Sequence, residues 1–461
     1  MKKYNRRDFL KAAALAVGGA ALASCVTPAA TTEAPKAGPT PTTAPAAAQG
    51  TTITYWVFWG QYNQKVIDAF MPAMLEYIKP NKIDIRFGVD ADNVFLPAVA
   101  AGTPPDIGTG HKYIQYMSKE QFVVLDEFAA ASKIIQKDNF LPTNWEGAFW
   151  KGKMAAVPAI ECFVRRGLNY NIKMVQDAGL DPNTPPVTWA EAFTWHKALT
   201  KFDASGNCTQ FGLDPYDAEG SVWSSDGYPA AEMWGFQWWD AQNKKFNLDN
   251  EDMANYFDTC AEFIKLIGPD QLAGVRSVEG QGTWGGSFDA QVQAMIIEGY
   301  WHPGETFNEK PEVSKLNKAT WVPVPDKRKG AKIQVGTGHM VFIYKGGKAP
   351  ADQTFKVAEF LQTKDHCEPV FKMIGWLPAY KPYLNGIDPS IYPGLDFYVN
   401  STKDPQTEWH GWARCEIEPF LESKLAEVRE KHFRGEYKTG KEAAAAFQKA
   451  AEDEYKQAGY A

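Results

Sequence analysis

The hydrophobic pattern of the folded body alternates between strand-like runs and helix-like spacing. Ile53–Phe58 is an aromatic, β-branched run that predicts a buried strand, and Lys82–Phe87 alternates apolar and polar positions and predicts another. Asn63–Ile78, between them, carries apolar residues at helical spacing. Val94–Ala101 predicts a short helix, and Pro104–Ile107 leads into a loop after a third short strand. Strands that alternate with helices in this way predict a parallel, doubly wound sheet.

The later part of the chain continues the mixed pattern. Thr188 stands three residues before Glu191, which is the capping-box signature of a helix, here predicted over Thr188–Lys201. No internal repeat is visible, and the predicted fold class is α/β. Further helices are predicted at Glu251–Ile267, Pro350–Thr363, Arg414–Lys431 and Lys441–Gln457, with strands within Ile333–Tyr344 and at the end of Phe288–Ile297, where a helix precedes the strand.

Residues 1–24 have the pattern of a cleaved export signal. Arg6–Lys11 resembles the twin-arginine signal, and Ala12–Ala23 is an apolar stretch too short to span a bilayer, which takes about 20 residues. Leu22–Cys25 resembles a bacterial lipobox, which implies cleavage before Cys25 and lipid on the new amino terminus. Two or more acyl chains anchor a soluble body stably at a membrane face. Residues 25–50 are almost entirely Thr, Pro, Ala and Gly, so we predict a disordered linker there.

Composition narrows the classes of function. A chain of 461 residues is too large for one ordinary core and predicts two lobes. The net charge is −7 and the signal is basic, so the remaining body is acidic and unsuited to nucleic acid or anionic lipid. The six cysteines form no CxxC pair, the seven histidines are scattered and no phosphate loop occurs, so we expect no metal and no cofactor. The 16 Trp, 19 Tyr and 27 Phe supply rings that stack on flat, apolar faces.

Several short motifs occur in a fixed order along the body. They are ITYWVFWG at 53–60, AGTPPDI at 101–107, GKMAAVP at 152–158, LNYN at 168–171 with AGL at 178–180 and PVTWAE at 186–191, AMIIEGYW at 294–301 and GWLPA at 375–379. In this order they resemble the family 1 extracellular solute-binding proteins, which are maltose-binding-protein-like sugar-binding lipoproteins of ABC importers. The resemblance covers the chain from Thr51 to its end.

The resemblance implies a fold and an activity. The fold is periplasmic-binding-protein type II-like, with two α/β lobes, a hinge and a ligand cleft between the lobes. Residues 51–160 and about 331–375 would form lobe 1, and about 161–330 and 376–461 would form lobe 2. The protein would be a monomer without catalytic activity that captures a sugar or oligosaccharide and delivers it to the permease subunits of an ABC transporter.

A sugar site needs aromatic platforms for the C–H faces of the ring and polar groups for its hydroxyl rim. The aromatic candidates are Trp301, Trp376, Trp284, Trp59 and Phe58, together with one of the adjacent Trp238 and Trp239, of which we choose Trp239. The polar candidates are Glu161, His111, Asp106, Asp289 and His339. Trp301 follows a Gly299 turn where the family places a stacking aromatic, and Glu161 lies where the chain first crosses between lobes.

Two alternatives to sugar capture remain open at this point. The site could bind a polyol, a sugar phosphate, a peptide or a polyamine, because aromatic rings and acids also form cation–π cages for amines. The chain could instead be a lipid-anchored enzyme that acts on glycans, although no pair of carboxylates is marked as a general acid and base.

Overall fold

A four-stranded sheet and a five-stranded sheet organise the body of the chain in a computed structural model. The structure describes residues 50–89, 94–110, 117–158, 160–161, 164–216, 229–276, 286–336, 338–411 and 415–461. The signal, Cys25 and the linker lie outside the described residues.

The strands are β1 Thr52–Val57, β2 Lys82–Arg86, β3 Ile107–Gly110, β4 Phe149–Trp150, β5 Lys153–Met154, β6 Gly167–Asn171, β7 Lys201–Phe202, β8 Cys208–Leu213, β9 Trp239–Asp240, β10 Lys245–Phe246, β11 Gln293–Glu298, β12 Asn317–Thr320, β13 Lys332–Val335, β14 Met340–Ile343 and β15 Thr407–His410.

The helices are α1 Gln64–Tyr77, α2 Leu96–Ala100, α3 Asp126–Ala131, α4 Pro142–Gly147, α5 Ile172–Asp177, α6 Trp189–Leu199, α7 Pro229–Trp234, α8 Glu251–Ile267, α9 Pro269–Arg276, α10 Gly286–Asp289, α11 Trp301–Glu309, α12 Pro311–Ser314, α13 Ala351–Phe360, α14 Lys364–Ile374, α15 Lys381–Leu384, α16 Leu395–Ser401, α17 Glu418–Phe433 and α18 Gly440–Gln457.

Polar side chains begin the helices where the sequence predicts them. The side chain of Asn63 accepts a hydrogen bond from the backbone of Lys65 at the start of α1. The capping box before α6 is confirmed, because Thr188 accepts from the backbone of Glu191 while the Glu191 carboxylate accepts from the backbone of Thr188. These caps satisfy amide groups that have no partner inside the helix.

The two large sheets differ in strand direction. The first has the order β14-β3-β1-β2, in which β1 is parallel to both neighbours and β14 is an antiparallel edge strand. The second has the order β12-β6-β11-β8-β7, in which β11 is parallel to β8 but β6 is antiparallel to β11 and to β12. The predicted parallel sheet is therefore confirmed for β1–β3, whereas the second sheet is mixed.

The buried hydrophobic residues fall into two main groups, each built around one sheet. The first core contains residues from Ile53 to Val164, from Met340 to Val399, and Tyr300 with Trp301. The second core contains residues from Leu168 to Ile297, from Val322 to Ile333 and from Cys415 to Tyr455.

The chain passes from one core to the other along neighbouring segments. These crossing segments lie between Val164 and Leu168, between Ile333 and Met340, and between Val399 and Cys415. The backbone amide of Arg165 donates to the carbonyl of Val335, and β13 pairs in parallel with β15. Segments that run side by side between two cores form the connection about which two lobes can move.

Candidate functional site

Four of the candidate residues meet where β1 approaches the crossing segments. We call Trp59, Trp376, His339 and Glu161 the Trp59 cluster. The ring centroids of Trp59 and His339 are 3.5 Å apart, and those of Trp59 and Trp376 are 5.3 Å apart in an edge-to-face arrangement. The cluster joins residues that are far apart in the sequence, and indole faces and edges of this kind can pack against a sugar ring.

Three members of the Trp59 cluster lie at the ends of strands or helices. Trp59 follows the end of β1, and His339 immediately precedes β14. Trp376 follows Gly375, which ends α14 in the left-handed conformation, with φ of 77°. Glycine adopts this conformation without the steric cost that other residues meet, so the chain can leave the helix sharply.

Glu161 is the most buried polar group of the cluster, with 1% of its surface exposed. Its Oε1 accepts a hydrogen bond from the backbone amide of His339 at 2.7 Å and lies 2.6 Å from the Nδ1 atom of the same residue. Its Oε2 is buried and has no hydrogen-bond partner among the residues that the structure describes. Burial raises the pKa of this carboxyl group well above its ordinary value, because the charged form loses its hydration.

Phe58 and Trp301 border the cluster. Phe58 packs edge-on against Trp59, with ring centroids 5.3 Å apart. Trp301 is the first residue of α11 and packs with Tyr300 in the first core. One turn later, Gly304 approaches Gly375 so closely that an added Cβ at Gly304 would lie 2.5 Å from the Cα of Gly375. This contact brings the start of α11 beside the loop that carries Trp376.

Two predicted site residues, Asp106 and Asp289, lie outside the Trp59 cluster. Asp106 accepts hydrogen bonds from the backbone and hydroxyl of Thr54 at 2.7 and 2.8 Å, and from the backbone of Ala349 at 2.7 Å. Both of its oxygens therefore join β1, β3 and the segment before α13, and we leave it out of the site. Asp289 ends α10 in a buried position, and its negative charge adds to the effect of burial, which raises the pKa of Glu305 well above its ordinary value.

Of the two adjacent tryptophans, we chose Trp239 as the site residue from the sequence. The structure gives the two residues different surroundings. Trp239 packs against Phe246 and Tyr455 in the second core, with ring centroids 4.5 and 5.1 Å apart. Trp238, and not Trp239, lines a cavity of about 380 Å³ between α7 and β15. Trp284 and His111 lie outside the described residues.

Sequence reasoning missed the charged residues of that cavity. Its polar wall is formed by Glu232, Gln237, Arg328, Glu408 and His410. The alternation Glu408-Trp409-His410 was a signal for a strand with one polar face, but nothing in the sequence joined it to α7. Among the described residues, no group of His, Cys, Asp and Glu has the arrangement of a metal site. In the same part of the chain, none of the helices has the length and apolarity needed to cross a membrane.

Comparisons with known proteins bear on the fold. No family model matches the chain, and no curated protein matches it. Solved structures do match. CpMnBP1 with mannotriose bound gives a TM-score of 0.71 at 20% identity, and the match covers 87% of this chain and 100% of that one. An ABC substrate-binding protein from Listeria monocytogenes in complex with cycloalternan gives a TM-score of 0.70 at 16% identity. That match covers 89% of this chain and 100% of the other.

This chain has their two-lobed α/β fold. A solute-binding protein of an ABC transporter from Thermotoga lettingae, bound with α-D-tagatose, has it as well, with a TM-score of 0.69 at 17% identity over 87% of this chain and 100% of that one. The predicted periplasmic-binding-protein type II-like fold is thereby confirmed. The two cores are the interiors of the two lobes, and the crossing segments connect them.

Proposed function

We propose that this protein is an extracytoplasmic carbohydrate-binding protein that captures a sugar or oligosaccharide between its lobes and delivers it to the permease of an ABC transporter. The observation that carries the proposal is the Trp59 cluster. In it, the buried carboxyl group of Glu161 has one open oxygen and contacts His339, whose ring contacts Trp59, which packs against Trp376. The likeness to solved sugar-bound binding proteins supports the same conclusion.

The chemistry of the Trp59 cluster suits a neutral polyhydroxylated ligand. The indoles of Trp59 and Trp376 offer apolar surface to the C–H face of a sugar ring. The open Oε2 of Glu161 can accept a hydrogen bond from a hydroxyl, and when the carboxyl group is ionised such a bond contributes about 1.5–3 kcal/mol. Micromolar affinity corresponds to about 8 kcal/mol, so stacking on two rings and a few polar contacts suffice.

In this proposal, closure of the two lobes tells the permease that a sugar is bound. A sugar that contacts both lobes stabilises the closed arrangement, which the permease can then recognise. For the lobe boundaries we propose residues 51–160 and about 331–399 for lobe 1 and about 161–330 and 400–461 for lobe 2, which moves residues 376–399 out of lobe 2, where the sequence had placed them. The packing of Trp376–Val399 in the first core favours assigning these residues to lobe 1.

We further propose that lipid on Cys25 tethers the protein to the outer face of the cell membrane after export of the folded body and removal of residues 1–24. Residues 25–50 would space the body from the lipid. Expression with labelled fatty acid tests the anchor, since a Cys25→Ala variant should lose both the label and the membrane-bound fraction. Equal labelling of the variant would contradict it.

Calorimetric titration with mono- and oligosaccharides tests the sugar site. At a pH above the raised pKa of Glu161, we expect Glu161→Gln to weaken binding about tenfold or more, because the amide there replaces a charged acceptor that contributes about 1.5–3 kcal/mol. Trp376→Phe should also weaken binding, because it reduces the stacking surface. Trp239→Phe is the matched control, since this indole is equally buried but packs in the second core. Wild-type affinity in both cluster variants would place the sugar site elsewhere.

A further inference from the structure

The cavity between α7 and β15 has the construction of a ligand site. Its volume of about 380 Å³ falls in the range of small-molecule pockets, about 300–1,000 Å³. Trp238 gives it an aromatic wall, and Glu232, Gln237, Glu408 and His410 give it hydrogen-bonding groups. An aromatic face combined with a polar rim matches a molecule that has both C–H faces and hydroxyl groups.

Glu232 lines this cavity and forms a deeply buried ion pair with Arg166 that uses only one of its two carboxylate oxygens. Glu232 is only 3% exposed, and the Nε and Nη2 atoms of Arg166 both lie 2.9 Å from its Oε2. No hydrogen bond to its Oε1 occurs in the described part of the chain, and the residue lines the cavity. Oε1 is not among the fully buried side-chain atoms of the described residues that lack a hydrogen-bond partner, so it keeps some access to the cavity and can accept a hydrogen bond from a donor on a bound ligand.

The charges around the cavity balance. Arg166 neutralises Glu232, and Arg328 pairs with Glu408 while it also donates to the backbone carbonyls of Glu232 and Met233. The second oxygen of Glu408 lies 3.0 Å from the Nε2 atom of His410. With both carboxylates paired to guanidinium groups, the site has no net charge to attract an ion, so it favours a neutral ligand.

We propose that this cavity is a second binding site, separate from the Trp59 cluster, for a small neutral polyhydroxylated molecule such as a monosaccharide, a disaccharide end or a polyol. Trp238 packs on the ring or carbon chain, Oε1 of Glu232 accepts from a hydroxyl, and His410 and Gln237 complete the rim. None of the residues that line the cavity belongs to the Trp59 cluster. The site lies between a crossing segment and a helix of the second lobe.

Fluorine NMR of protein labelled with 5-fluorotryptophan tests this site. The Trp238 resonance is assigned by its loss in Trp238→Phe, and the Trp376 resonance by Trp376→Phe. Glucose, mannobiose and sorbitol are the neutral probes, spermidine is the cationic probe and sulfate is the anionic probe. We expect the neutral probes to shift the Trp238 resonance in the wild type and in Glu161→Gln. Gln237→Arg should abolish the shift, because the longer charged side chain at this exposed position enters the cavity.

The outcomes separate this inference from the proposed function. A response of Trp376 to sugar without any response of Trp238 overturns the second site and leaves the proposed function standing. A Trp238 response that disappears in Glu161→Gln shows one shared site and also overturns it. A response to spermidine or sulfate alone overturns the neutral ligand class. If no tryptophan responds to sugar, both proposals fail. Gln237→Arg should keep the wild-type sugar response of Trp376, which confirms that the variant is folded.

Discussion

At the scale of single residues, two buried carboxylates show how the surroundings decide between structure and binding. Asp106 has hydrogen bonds at both oxygens and holds β1 against its neighbours. Glu161 has contacts only at Oε1, while its buried Oε2 has none in the described part of the chain. A carboxylate whose oxygens are all hydrogen-bonded serves the structure, whereas a buried oxygen without a partner costs free energy until a ligand donates to it.

The raised pKa of Glu161 predicts a pH-dependent effect of Glu161→Gln on the ligand-free protein. The folded-state pKa lies above the unfolded one, so the contribution of Glu161 is most favourable at low pH and is lost as pH rises through the folded-state pKa. We therefore expect the variant to gain free energy of unfolding relative to wild type as pH rises, by up to about 1.4 kcal/mol per pH unit within that window. Urea unfolding at mildly acidic and mildly alkaline pH measures the difference.

Glu191→Gln is the contrasting control for this experiment. Hydrogen bonds from Lys329 and from the backbone of Val187 lower the pKa of the Glu191 carboxyl group. Its contribution is therefore lost as pH falls, and the difference between wild type and this variant should shrink at acidic pH. A Glu161→Gln effect that does not change with pH, or that changes in the same direction as Glu191→Gln, would contradict the account of Glu161.

At the scale of elements, the contact between α11 and α14 positions the aromatic residues of the site. Gly304 in α11 and Gly375 at the end of α14 touch through their backbones, because neither has a side chain to hold them apart. Trp301 lies one turn before Gly304, and Trp376 directly follows Gly375. A change in this helix contact would therefore shift indoles at the edge of the Trp59 cluster.

Gly304→Ala tests this role of the helix contact. Its Cβ would lie 2.5 Å from the Cα of Gly375, so the backbone must shift, and overpacking of this kind costs about 1–3 kcal/mol. We expect a lower free energy of unfolding and weaker sugar binding. Gly274→Ala is the matched control in α9, because its Cβ would meet nothing within 4 Å and alanine favours a helix by about 1 kcal/mol. The test fails if Gly304→Ala is as stable as wild type.

At the scale of the whole molecule, each lobe contains a buried histidine that must stay neutral. In the first core, the Tyr62 hydroxyl and the His366 Nε2 atom are 2.5 Å apart, and burial lowers the pKa of His366 to about 3. In the second core, the Nδ1 atom of His196 accepts from the backbone of Leu213, and burial lowers its pKa to about 4. Both values are far below the 6.5 of an unperturbed histidine.

These histidines predict that acid destabilises both lobes. Each contributes stability above pH 6.5 that is lost as pH falls towards its folded-state pKa, because the unfolded chain binds the proton first. Each should add about 1.4 kcal/mol per pH unit to the slope. His366→Gln and His196→Gln should each flatten the pH dependence of the unfolding free energy, measured by urea unfolding between pH 4.5 and 6.5. Unchanged slopes in both variants would contradict this assignment.

The sequence by itself determined the local elements and the kinds of chemistry available. Helix starts at Asn63 and Thr188 were predictable because capping depends on residues within one turn. Strand β1 was predictable because its side chains are β-branched or aromatic, and its alternate residues Ile53, Tyr55 and Val57 are buried. The ordered motifs also indicated the two-lobed fold and the residue types of a sugar site.

Only the tertiary structure decided which candidates meet. Trp59, Glu161, His339 and Trp376 come from four distant segments, and their contacts depend on how the crossing segments and α14 pack. The sequence favoured Trp239, yet Trp238 lines the cavity, because Trp239 begins β9 and packs against Phe246 and Tyr455 in the second core. Residue type is a local property, whereas the partners of a side chain are set by contacts between segments that sequence spacing does not encode.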